Sequence, residues 1–360
     1  MQPVQAQDYK IVFNQEGYTQ LNALLAAKNY SILFILVDEN THENCLAAFL
    51  ANVETNTTIE IIEVDAGEEF KNLETCDGVW NALSELNADR KSAMINLGGG
   101  VVTDMGGFIA CTFKRGIDYI NIPSTLLSMV DASVGGKTGV DLGALKNQIG
   151  VISNPQMVLV DIKLLQTLPQ KELRSGYAEM LKHGLISSQA YWEAVKKESF
   201  TNIEGLAELI QQSITIKNKV VTEDPFENGL RKTLNFGHTL GHAIESYFLA
   251  HPEKERLLHG EAIAIGMVLA AYLSVELTGL SKEAYEDIAS TIVNTYGKST
   301  FSESDINNII DLLKYDKKNA HGNILFVLLQ EIGKPVIDQK VDNALIHLAF
   351  KDYENFKAKS

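Results

Sequence analysis

The first half of the chain alternates short runs of β-branched and other apolar residues with segments of helical periodicity. Strand-like runs occur at Tyr9–Phe13, Ile32–Val37, Thr58–Val64, Ala93–Leu97, Tyr119–Ile122 and Met157–Val160. Amphipathic stretches such as Tyr18–Ala27 and Asn72–Leu86 lie between them. Because parallel strands are joined by crossovers that are usually helices, this alternation predicts an α/β fold with a parallel, Rossmann-like sheet covered by helices on both faces.

The pattern changes in the second half of the chain. From Leu164 to Leu313 the apolar residues recur at three and four positions without a convincing strand, which indicates packed helices. Near the end, Ile324–Leu329 is typical of a short strand and Asn343–Phe356 of a helix. We therefore expect an α/β N-terminal domain over residues 1–163 and an all-α C-terminal domain over residues 164–360.

Composition and charge exclude several classes of protein. The 360 residues include 31 basic and 46 acidic side chains, for a net charge of −15, so we expect no nucleic-acid partner. Cys45, Cys76 and Cys111 lie far apart without CxxC spacing, which is typical of reduced thiols. The N-terminus lacks a secretory pattern and no apolar run looks long enough to cross a bilayer. We expect a cytoplasmic protein without a membrane partner.

A glycine-rich segment follows the strand-like run Ala93–Leu97. Gly98, Gly99 and Gly100 precede Val101 and a helical pattern that contains Asp104. Glycines at such a strand–helix junction let backbone N–H groups approach a pyrophosphate at the positive end of the helix. The spacing is not GxGxxG, however. The segment is therefore either a nucleotide cradle or a tight turn, and the sequence alone leaves both open.

A second glycine-rich segment runs from Asp131 to Gly139 and contains Gly-Lys-Thr. The P-loop pattern requires a glycine where this chain has Asp131, so a nucleotide triphosphatase is disfavoured. A flexible backbone that carries Lys137 near Asp131 suits a phosphorylated, polyhydroxylated ligand, and Lys146 with Asn147 adds further donors. A glycine-rich turn with a solvated lysine is the alternative.

Histidines and carboxylates in the second half form the strongest constellation. His238 and His242 are four residues apart and would share one face of a helix, while His259 opens the next helical pattern. Glu179 and Lys182 share a face of an earlier helix. Two histidines with one carboxylate and an open position are the ligands of a catalytic zinc ion.

The sequence does not settle which of these residues bind a metal. His238 and His242 could both be ligands, or either could be a histidine satisfied by ordinary hydrogen bonds. Arg231, seven residues before His238, would lie on the same side of that helix if the helix begins early enough. An arginine beside a metal suggests a carboxylate or phosphate on the substrate.

In this order and spacing, the residues resemble the 3-dehydroquinate synthase family of the sugar-phosphate cyclase superfamily. The resemblance covers about residues 65 to 335 and rests on Gly98–Asp104, Lys114–Gly116, Ile122–Leu127, Asp131–Thr138, Lys146–Asn147, Leu168–Pro169, Ala178–Glu179, Leu234–His242 and His259–Glu261. It implies a dehydroquinate synthase-like fold. The residues before about 60 match poorly, and the connection from Phe248 to Arg256 is longer and more charged than expected, although a loop insertion usually leaves its ends in place.

The resemblance implies a lyase of the shikimate pathway, which leads to aromatic amino acids. Such an enzyme converts 3-deoxy-D-arabino-heptulosonate 7-phosphate to 3-dehydroquinate and phosphate by transient oxidation with NAD, phosphate elimination, re-reduction and intramolecular aldol closure. It implies NAD and a divalent zinc or cobalt ion as cofactors. It also implies a homodimer, in which Arg115 reaches across the interface.

The resemblance also implies a set of site residues. The metal ligands would be Glu179, His238 and His259. NAD would contact Asp38, Asn40, Glu68, Lys71, Gly99, Gly100, Val101, Asp104, Ser124, Thr125 and Lys146. The substrate would contact Arg115, Asp131, Lys137, Asn147, Lys182, Lys217, Arg231, Asn235 and one lysine of the pair Lys317–Lys318, which we take as Lys317. Catalysis would use Glu227 and His242 as proton acceptors, with Lys137, Asp131 and Arg231 beside them.

Three other functions remain to be weighed. A cyclase that makes an inosose or a valiolone would act on a substrate without a carboxylate, whereas Lys217 with Arg231 suits a carboxylate. A metal-dependent glycerol-type dehydrogenase would release NADH and would not need the dense basic set. An inactive binding or scaffold protein is expected to have lost one of Glu179, His238 or His259, and all three are present.

Overall fold

The computed structural model describes residues 1–143, 145–313 and 324–358, and Lys317 lies outside the described residues. The chain divides into two compact units. Unit 1 comprises Met1–Pro169 with Ile210–Thr222, and unit 2 comprises Gln170–Leu209 with Glu223–Ser360. The domain boundary after residue 163 stays a prediction, because compactness does not test which segments fold independently.

Unit 1 contains the strands and helices of an α/β fold. Its strands are β1 Val4–Gln5, β2 Lys10–Phe13, β3 Ile32–Asp38, β4 Thr58–Val64, β5 Ala93–Gly98, β6 Asp118–Pro123, β7 Lys137–Leu142, β8 Leu145–Ile152 and β9 Met157–Val160. Its helices are α1 Asn14–Lys28, α2 Glu39–Thr41, α3 Ala47–Leu50, α4 Leu73–Glu85 and α5 Gly100–Thr112. Shorter helical turns span His42–Leu46, Glu68–Phe70, Phe113–Arg115, Ser128–Ala132 and Ile162–Thr167.

The main sheet of unit 1 confirms the predicted parallel architecture. Within the described residues it has seven strands in the order β1-β2-β9-β6-β5-β3-β4. Every neighbouring pair is parallel except the edge pair β1–β2. Helix α5 packs so closely on this sheet that a Cβ at Gly106 would lie 2.1 Å from Asn96 Oδ1. The carboxyl end of β5 therefore leads directly into a helix held against the sheet.

A separate hairpin of β7 and β8 was not predicted. The two strands pair antiparallel, with Lys137 opposite Ile152 and Leu142 opposite Leu145. Glycines occupy positions where the strands leave no room for side chains, since a Cβ at Gly150 would lie 2.2 Å from the carbonyl oxygen of Thr138. Glycine is unfavourable in strands on average, which is why the sequence indicated only a loop here.

Over residues 170–209, 223–313 and 324–358, the part of unit 2 that the structure describes, the regular elements are helices and one hairpin. Its helices are α6 Gln170–Ser187, α7 Gln189–Lys197, α9 His238–Leu249, α10 His259–Thr278, α11 Lys282–Tyr296, α12 Glu303–Leu312 and α13 Asn343–Asn355, while α8 Ile203–Glu223 contributes to both units. A 3-10 turn spans Leu230–Asn235. The hairpin consists of β10 Leu325–Glu331 and β11 Lys334–Lys340, so the strand predicted near Ile324 is confirmed.

Helix α10 is the apolar centre of unit 2. It is long and apolar enough to cross a membrane by length and composition, contrary to our expectation for the sequence, but 72% of its most apolar window is buried inside the protein. A core helix of a soluble protein has the same properties, so this helix is weak support for a membrane span. Helix α10 begins where Glu261 accepts a hydrogen bond from the Leu258 N–H at 2.9 Å, and it ends at Gly279 with φ 86°.

The long connection between α9 and α10 is anchored on the start of α12. Asp305 accepts hydrogen bonds from Tyr247 Oη at 2.6 Å, from Lys254 Nζ at 2.7 Å and from the Ser302 N–H at 2.8 Å. Burial alone would raise the pKa of Asp305, but the bonds from Lys254, Tyr247 and Ser302 lower it below the ordinary value. Lys254 therefore attaches the charged connection between α9 and α10 to the start of α12.

We predict that Asp305→Asn lowers the free energy of unfolding at pH 7 by about 1–3 kcal/mol, because charge-assisted hydrogen bonds are lost. The native pKa of Asp305 is depressed, so its stabilisation is present above the unfolded pKa of about 3.9 and is lost as pH falls through the native value. Urea unfolding of both proteins at pH 7, 5 and 3.5 checks this. The prediction is contradicted if the difference in unfolding free energy between the original protein and Asp305→Asn is as large at pH 3.5 as at pH 7.

Candidate active site

Three helices of unit 2 bring a carboxylate and two imidazoles together. Helix α6 carries Glu179, while His238 and His259 begin helices α9 and α10. Glu179 Oε1 lies 3.4 Å from His238 Nε2 and 3.8 Å from His259 Nε2. Tetrahedral zinc ligands at about 2.0–2.2 Å from the ion lie about 3.3–3.6 Å from one another. The first distance falls within this range and the second exceeds it by about 0.2 Å, so Glu179 Oε1 and the two imidazoles lie close enough to share one divalent cation after a small adjustment.

The other nitrogen of each imidazole is held by an acceptor. His238 Nδ1 lies 3.1 Å from the Phe236 carbonyl oxygen, and His259 Nδ1 lies 3.0 Å from Glu245 Oε2. These contacts favour a proton on Nδ1, so that the lone pair of each ring is on Nε2, the nitrogen that faces Glu179. Glu179 Oε1 is buried and accepts no well-aligned hydrogen bond from the residues that the structure describes. Glu179 Oε1 and the two Nε2 atoms thus bring three potential metal-donor atoms together.

Charge around Glu179 keeps these groups in the states that bind metals. Burial alone would raise the pKa of Glu179, but the adjacent Lys182 ammonium group, together with His238 and His259, lowers it well below its ordinary value. Burial and then the Lys182 charge lower the pKa of His238, against the opposing effect of Glu179. At neutral pH the cluster therefore contains a carboxylate and a neutral imidazole, as metal coordination requires.

His242 belongs to the same cluster. It lies one turn after His238 on α9, and the ring centroids of these two histidines are 5.2 Å apart. One ring nitrogen from each of His238, His242 and His259 can be chosen so that all three atoms lie within 4.8 Å of one another. The predicted shared face of His238 and His242 is confirmed. Geometry alone still leaves His242 as either a ligand or a neighbour of the metal.

Glycine permits the close approach of α6 and α10. A Cβ at Gly260 would lie 1.9 Å from the carbonyl oxygen of Ser175, and the Gly260 N–H donates to Ser175 Oγ at 3.0 Å. Beside this contact, Arg174 on α6 forms an ion pair with Glu261 on α10. Because Gly260 directly follows His259, this backbone contact fixes the position of His259 relative to α6.

We predict that Gly260→Ala lowers the unfolding free energy by about 1–3 kcal/mol or more and weakens zinc binding, because the added methyl group forces α10 away from α6. Thermal unfolding and zinc titration measure the two effects. Gly78→Ala is the matched control, since a Cβ at this helical position would meet nothing within 4 Å and the change should stabilise by up to about 1 kcal/mol. Equal zinc affinity in Gly260→Ala and the original protein would show that the contact between α6 and α10 does not position His259 for zinc.

Arg231 does not lie on the helix of His238, which corrects our conditional placement. Residues Leu230–Asn235 form a separate 3-10 turn, and α9 begins only at His238, after Gly237 with φ 78°. This positive φ suits glycine and interrupts the helical path between Arg231 and His238. Arg231 is buried, and its Nη1 donates to the Pro225 carbonyl oxygen at 2.7 Å.

Glu227 lies in the same loop in a strained conformation. Its φ is 61°, which is uncommon for a residue with a side chain, and its Oε1 accepts a hydrogen bond from Asn235 Nδ2 at 2.6 Å. Strain of this kind costs about 1–3 kcal/mol and is concentrated at functional sites. The predicted proton acceptor and the predicted substrate ligand Asn235 are therefore neighbours.

In unit 1 the predicted glycine segment joins β5 to α5. The strand ends at Gly98 and the helix begins at Gly100. Packing explains glycine at Gly98, because a Cβ there would lie 2.4 Å from Val102 Cβ. At Gly100 a Cβ would meet nothing closer than 3.5 Å, and the backbone there is helical. Neither packing nor conformation requires glycine at Gly100, which favours the cradle over the tight turn.

A buried lysine joins several predicted NAD contacts in unit 1. Lys71 is 3% exposed, and its Nζ donates to Asp104 Oδ2 at 2.7 Å and to Asn147 Oδ1 at 2.8 Å. Burial alone would lower the pKa of Lys71, but Asp104 and Glu68 raise it. Glu68 in turn lies 3.6 Å from Lys146. We call these five residues the Lys71 cluster; it includes Asn147, which was predicted to contact the substrate.

The remaining predicted residues occupy several places in unit 1. Lys217 Nζ donates to Asp131 Oδ1 at 2.6 Å, so two predicted substrate contacts form an ion pair. Lys137 is exposed at the start of β7. The side chain of Asp38 accepts a hydrogen bond from the Thr41 N–H at 2.8 Å and caps α2. The others are Asn40, exposed within α2, Val101 in the first turn of α5, Ser124 and Thr125, directly after β6, and Arg115, exposed with φ 70°.

Sequence reasoning missed Glu245. It lies seven residues after His238 and three after His242, so all three share one face of α9. This spacing was a usable signal. What the sequence could not show is that the same face meets the first residue of α10.

Comparisons with known proteins match most of the chain to 3-dehydroquinate synthases. The profile of the 3-dehydroquinate synthase N-terminal domain matches residues 61–175, and that of the C-terminal domain matches residues 176–319. A 3-dehydroquinate synthase from Parabacteroides distasonis is 41% identical over 336 residues, which cover 93% of this chain and 94% of that protein.

Two solved structures share the fold. The 2-epi-5-epi-valiolone synthase from Streptomyces hygroscopicus with NAD+ and Zn2+ bound has a TM-score of 0.84 and 25% identity, and the match covers 99% of each chain. A 2-deoxy-scyllo-inosose synthase complexed with carbaglucose-6-phosphate, NAD+ and Co2+ also has a TM-score of 0.84, at 24% identity, covering 98% of this chain and 99% of that one.

Proposed function

The chain belongs to the 3-dehydroquinate synthase family, and on that premise we propose that it converts 3-deoxy-D-arabino-heptulosonate 7-phosphate to 3-dehydroquinate and phosphate. One observation carries the proposal beyond the family. Glu179 Oε1 and the Nε2 atoms of His238 and His259 converge within 3.4 and 3.8 Å, with each Nδ1 already held by an acceptor. An inactive relative would have no reason to keep this arrangement.

We assign the metal to Glu179, His238 and His259, with zinc or cobalt as the ion. When bound, the ion supplies Lewis acidity that lowers the pKa of a substrate hydroxyl group. These residues would hold the ion with one carboxylate and two neutral imidazoles. The neighbouring Lys182 ammonium group balances the buried charge of Glu179.

We assign NAD to unit 1. When bound, NAD accepts a hydride from the substrate and returns it later, so it is not consumed. An α-helix does not bond its own first backbone N–H groups, which makes the start of α5 suitable for a pyrophosphate, and Gly100 has no side chain to block the approach. The Lys71 cluster fixes Asp104 on this helix by a buried ion pair. Asp38, Asn40, Ser124 and Thr125 complete the proposed set.

The proposed substrate contacts are mostly basic. In unit 1 they are Arg115, Asp131, Lys137, Asn147 and Lys217, and in unit 2 they are Lys182, Arg231 and Asn235, with Lys317 outside the described residues. Arginine and lysine hold phosphate and carboxylate groups and stabilise charge that develops in the transition state. Their number suits a substrate that carries both groups, which an inosose or valiolone precursor does not.

We propose Glu227 and His242 as the proton acceptors. The hydrogen bond from Asn235 orients the Glu227 carboxylate, and the neighbouring imidazoles hold His242 beside the proposed metal. Each group can accept a proton from a substrate oxygen or carbon that reaches it. This assignment leaves His242 out of the ligand set.

We predict that the purified protein, supplied with NAD and zinc or cobalt, releases phosphate from the heptulosonate phosphate without net accumulation of NADH. Phosphate release and absorbance at the NADH band measure this in one reaction. Stoichiometric NADH would favour a glycerol-type dehydrogenase. Phosphate release from a hexose phosphate but not from the heptulosonate would favour a rival cyclase.

His259→Ala is the control for metal-dependent turnover. We expect phosphate release to fall by at least about a hundredfold, because a lost ligand removes charge stabilisation from the transition state. The circular dichroism spectrum should stay unchanged, since the side chain of His259 is partly exposed at a helix start. Full activity in this variant would reject the ligand assignment.

We also propose a cytoplasmic homodimer in which Arg115 serves the site of the other subunit. Lys114, Arg115 and Gly116 have φ of 51°, 70° and 112°, a strained turn that presents an exposed arginine. The exposed apolar residues Leu142 and Ile152 of the β7–β8 hairpin are further candidates for a covered surface.

Subunit mixing tests the dimer. Arg115→Ala and His259→Ala should each be inactive alone. After random reassociation, half the dimers are mixed and each has one intact site, so activity should return to about a quarter of the original value. No recovery, or a monomer by sedimentation equilibrium, would show that Arg115 does not act across an interface.

A further inference from the structure

We propose that Glu245 is a positioning residue that orients His259 for metal binding. The inference rests on the proposed function, because it concerns the same ion, and it adds a residue to which neither the family resemblance nor the comparisons give a role. Glu245 is buried on α9, and its Oε2 accepts a hydrogen bond from His259 Nδ1 at 3.0 Å. It therefore joins the helix of one ligand to the helix of the other.

The hydrogen bond decides which nitrogen of His259 faces the cluster. With the proton on Nδ1 held by Glu245, the lone pair of Nε2 points toward Glu179 Oε1, 3.8 Å away. Metal-binding histidines usually donate their other ring N–H to a carboxylate or carbonyl oxygen, which fixes the ring and raises its basicity. Glu245 thus performs for His259 what the Phe236 carbonyl oxygen performs for His238.

His259 depends on such a partner more than His238 does. The side chain of His259 is 26% exposed, against 9% for His238, so packing restrains its ring less. Both histidines are the first residues of their helices, so the greater exposure of His259 is what distinguishes the two rings. The backbone acceptor of His238 is fixed by the chain, whereas the acceptor of His259 is a side chain that mutation can remove.

The test measures zinc affinity and the Co2+ spectrum of Glu245→Gln and Glu245→Ala, starting from the full-length protein loaded with each metal. Competition with a chelator gives the dissociation constant. We expect a loss of 10- to 100-fold for Glu245→Ala, the range found when such partners are removed. The loss should be smaller for Glu245→Gln, whose amide oxygen can still accept the bond. The Co2+ absorption bands should shift in both variants.

Glu276→Gln is the matched control. It makes the same charge change at an exposed position of α10 and should bind zinc and Co2+ as the original protein does. Zinc affinities of Glu245→Ala and Glu245→Gln within twofold of the original, with unchanged Co2+ bands, would overturn the proposal. A lower melting temperature of the metal-free variants with unchanged Co2+ bands would do the same, because it would show a purely structural role.

Other results would show that the proposed metal site, and not only the role of Glu245, is wrong. If the original protein binds neither zinc nor Co2+ in a 1:1 ratio, or if His259→Ala binds them equally well, the metal site itself is wrong and the role of Glu245 falls with it. If the original protein binds and His259→Ala does not, the site stands and only the Glu245 variants decide the inference.

Discussion

Close backbone packing at the starts of α9 and α10 is the constraint on which the histidine cluster depends. A Cβ at Gly260 would lie 1.9 Å from Ser175 O, and a Cβ at Gly266 would lie 2.1 Å from Gly237 O. Such distances leave no room for any side chain larger than hydrogen. They place the start of α10 beside α6 and the start of α9 beside the middle of α10. His238 and His259 therefore approach Glu179 without long side chains having to span a gap.

The same packing buries the carboxylate of Glu179, and the groups around it must compensate its charge. A carboxylate removed from water is costly unless cations compensate it, and here Lys182 and the two imidazoles do so. The arrangement leaves Glu179 Oε1 with no well-aligned donor among the described residues. A bound divalent cation would complete the compensation. In unit 1 Asp104 and Asn147 both accept hydrogen bonds from the Lys71 ammonium group, but burial still raises the pKa of Asp104 against the lowering effect of Lys71.

Local patterns predicted much of the fold. The strands from Ile32, Thr58, Ala93 and Met157 form as expected, because apolar runs between helical segments have few other stable arrangements. The β7–β8 hairpin was missed because its glycines serve a close contact between strands, which only the partner strand reveals. Arg231 was misplaced because Gly237 turns the chain before α9, and a single positive φ is not visible in helical periodicity. The Lys217–Asp131 pair and Glu245 depend on segments distant in sequence, which no local pattern brings together.

Crystals of the zinc-loaded protein, measured at the zinc absorption edge, test the central claim most directly. The account predicts one anomalous peak at about 2.0–2.2 Å from Glu179 Oε1, His238 Nε2 and His259 Nε2, with His242 outside bonding distance. A peak bound by all three histidines without Glu179, or no peak among these side chains, would contradict it.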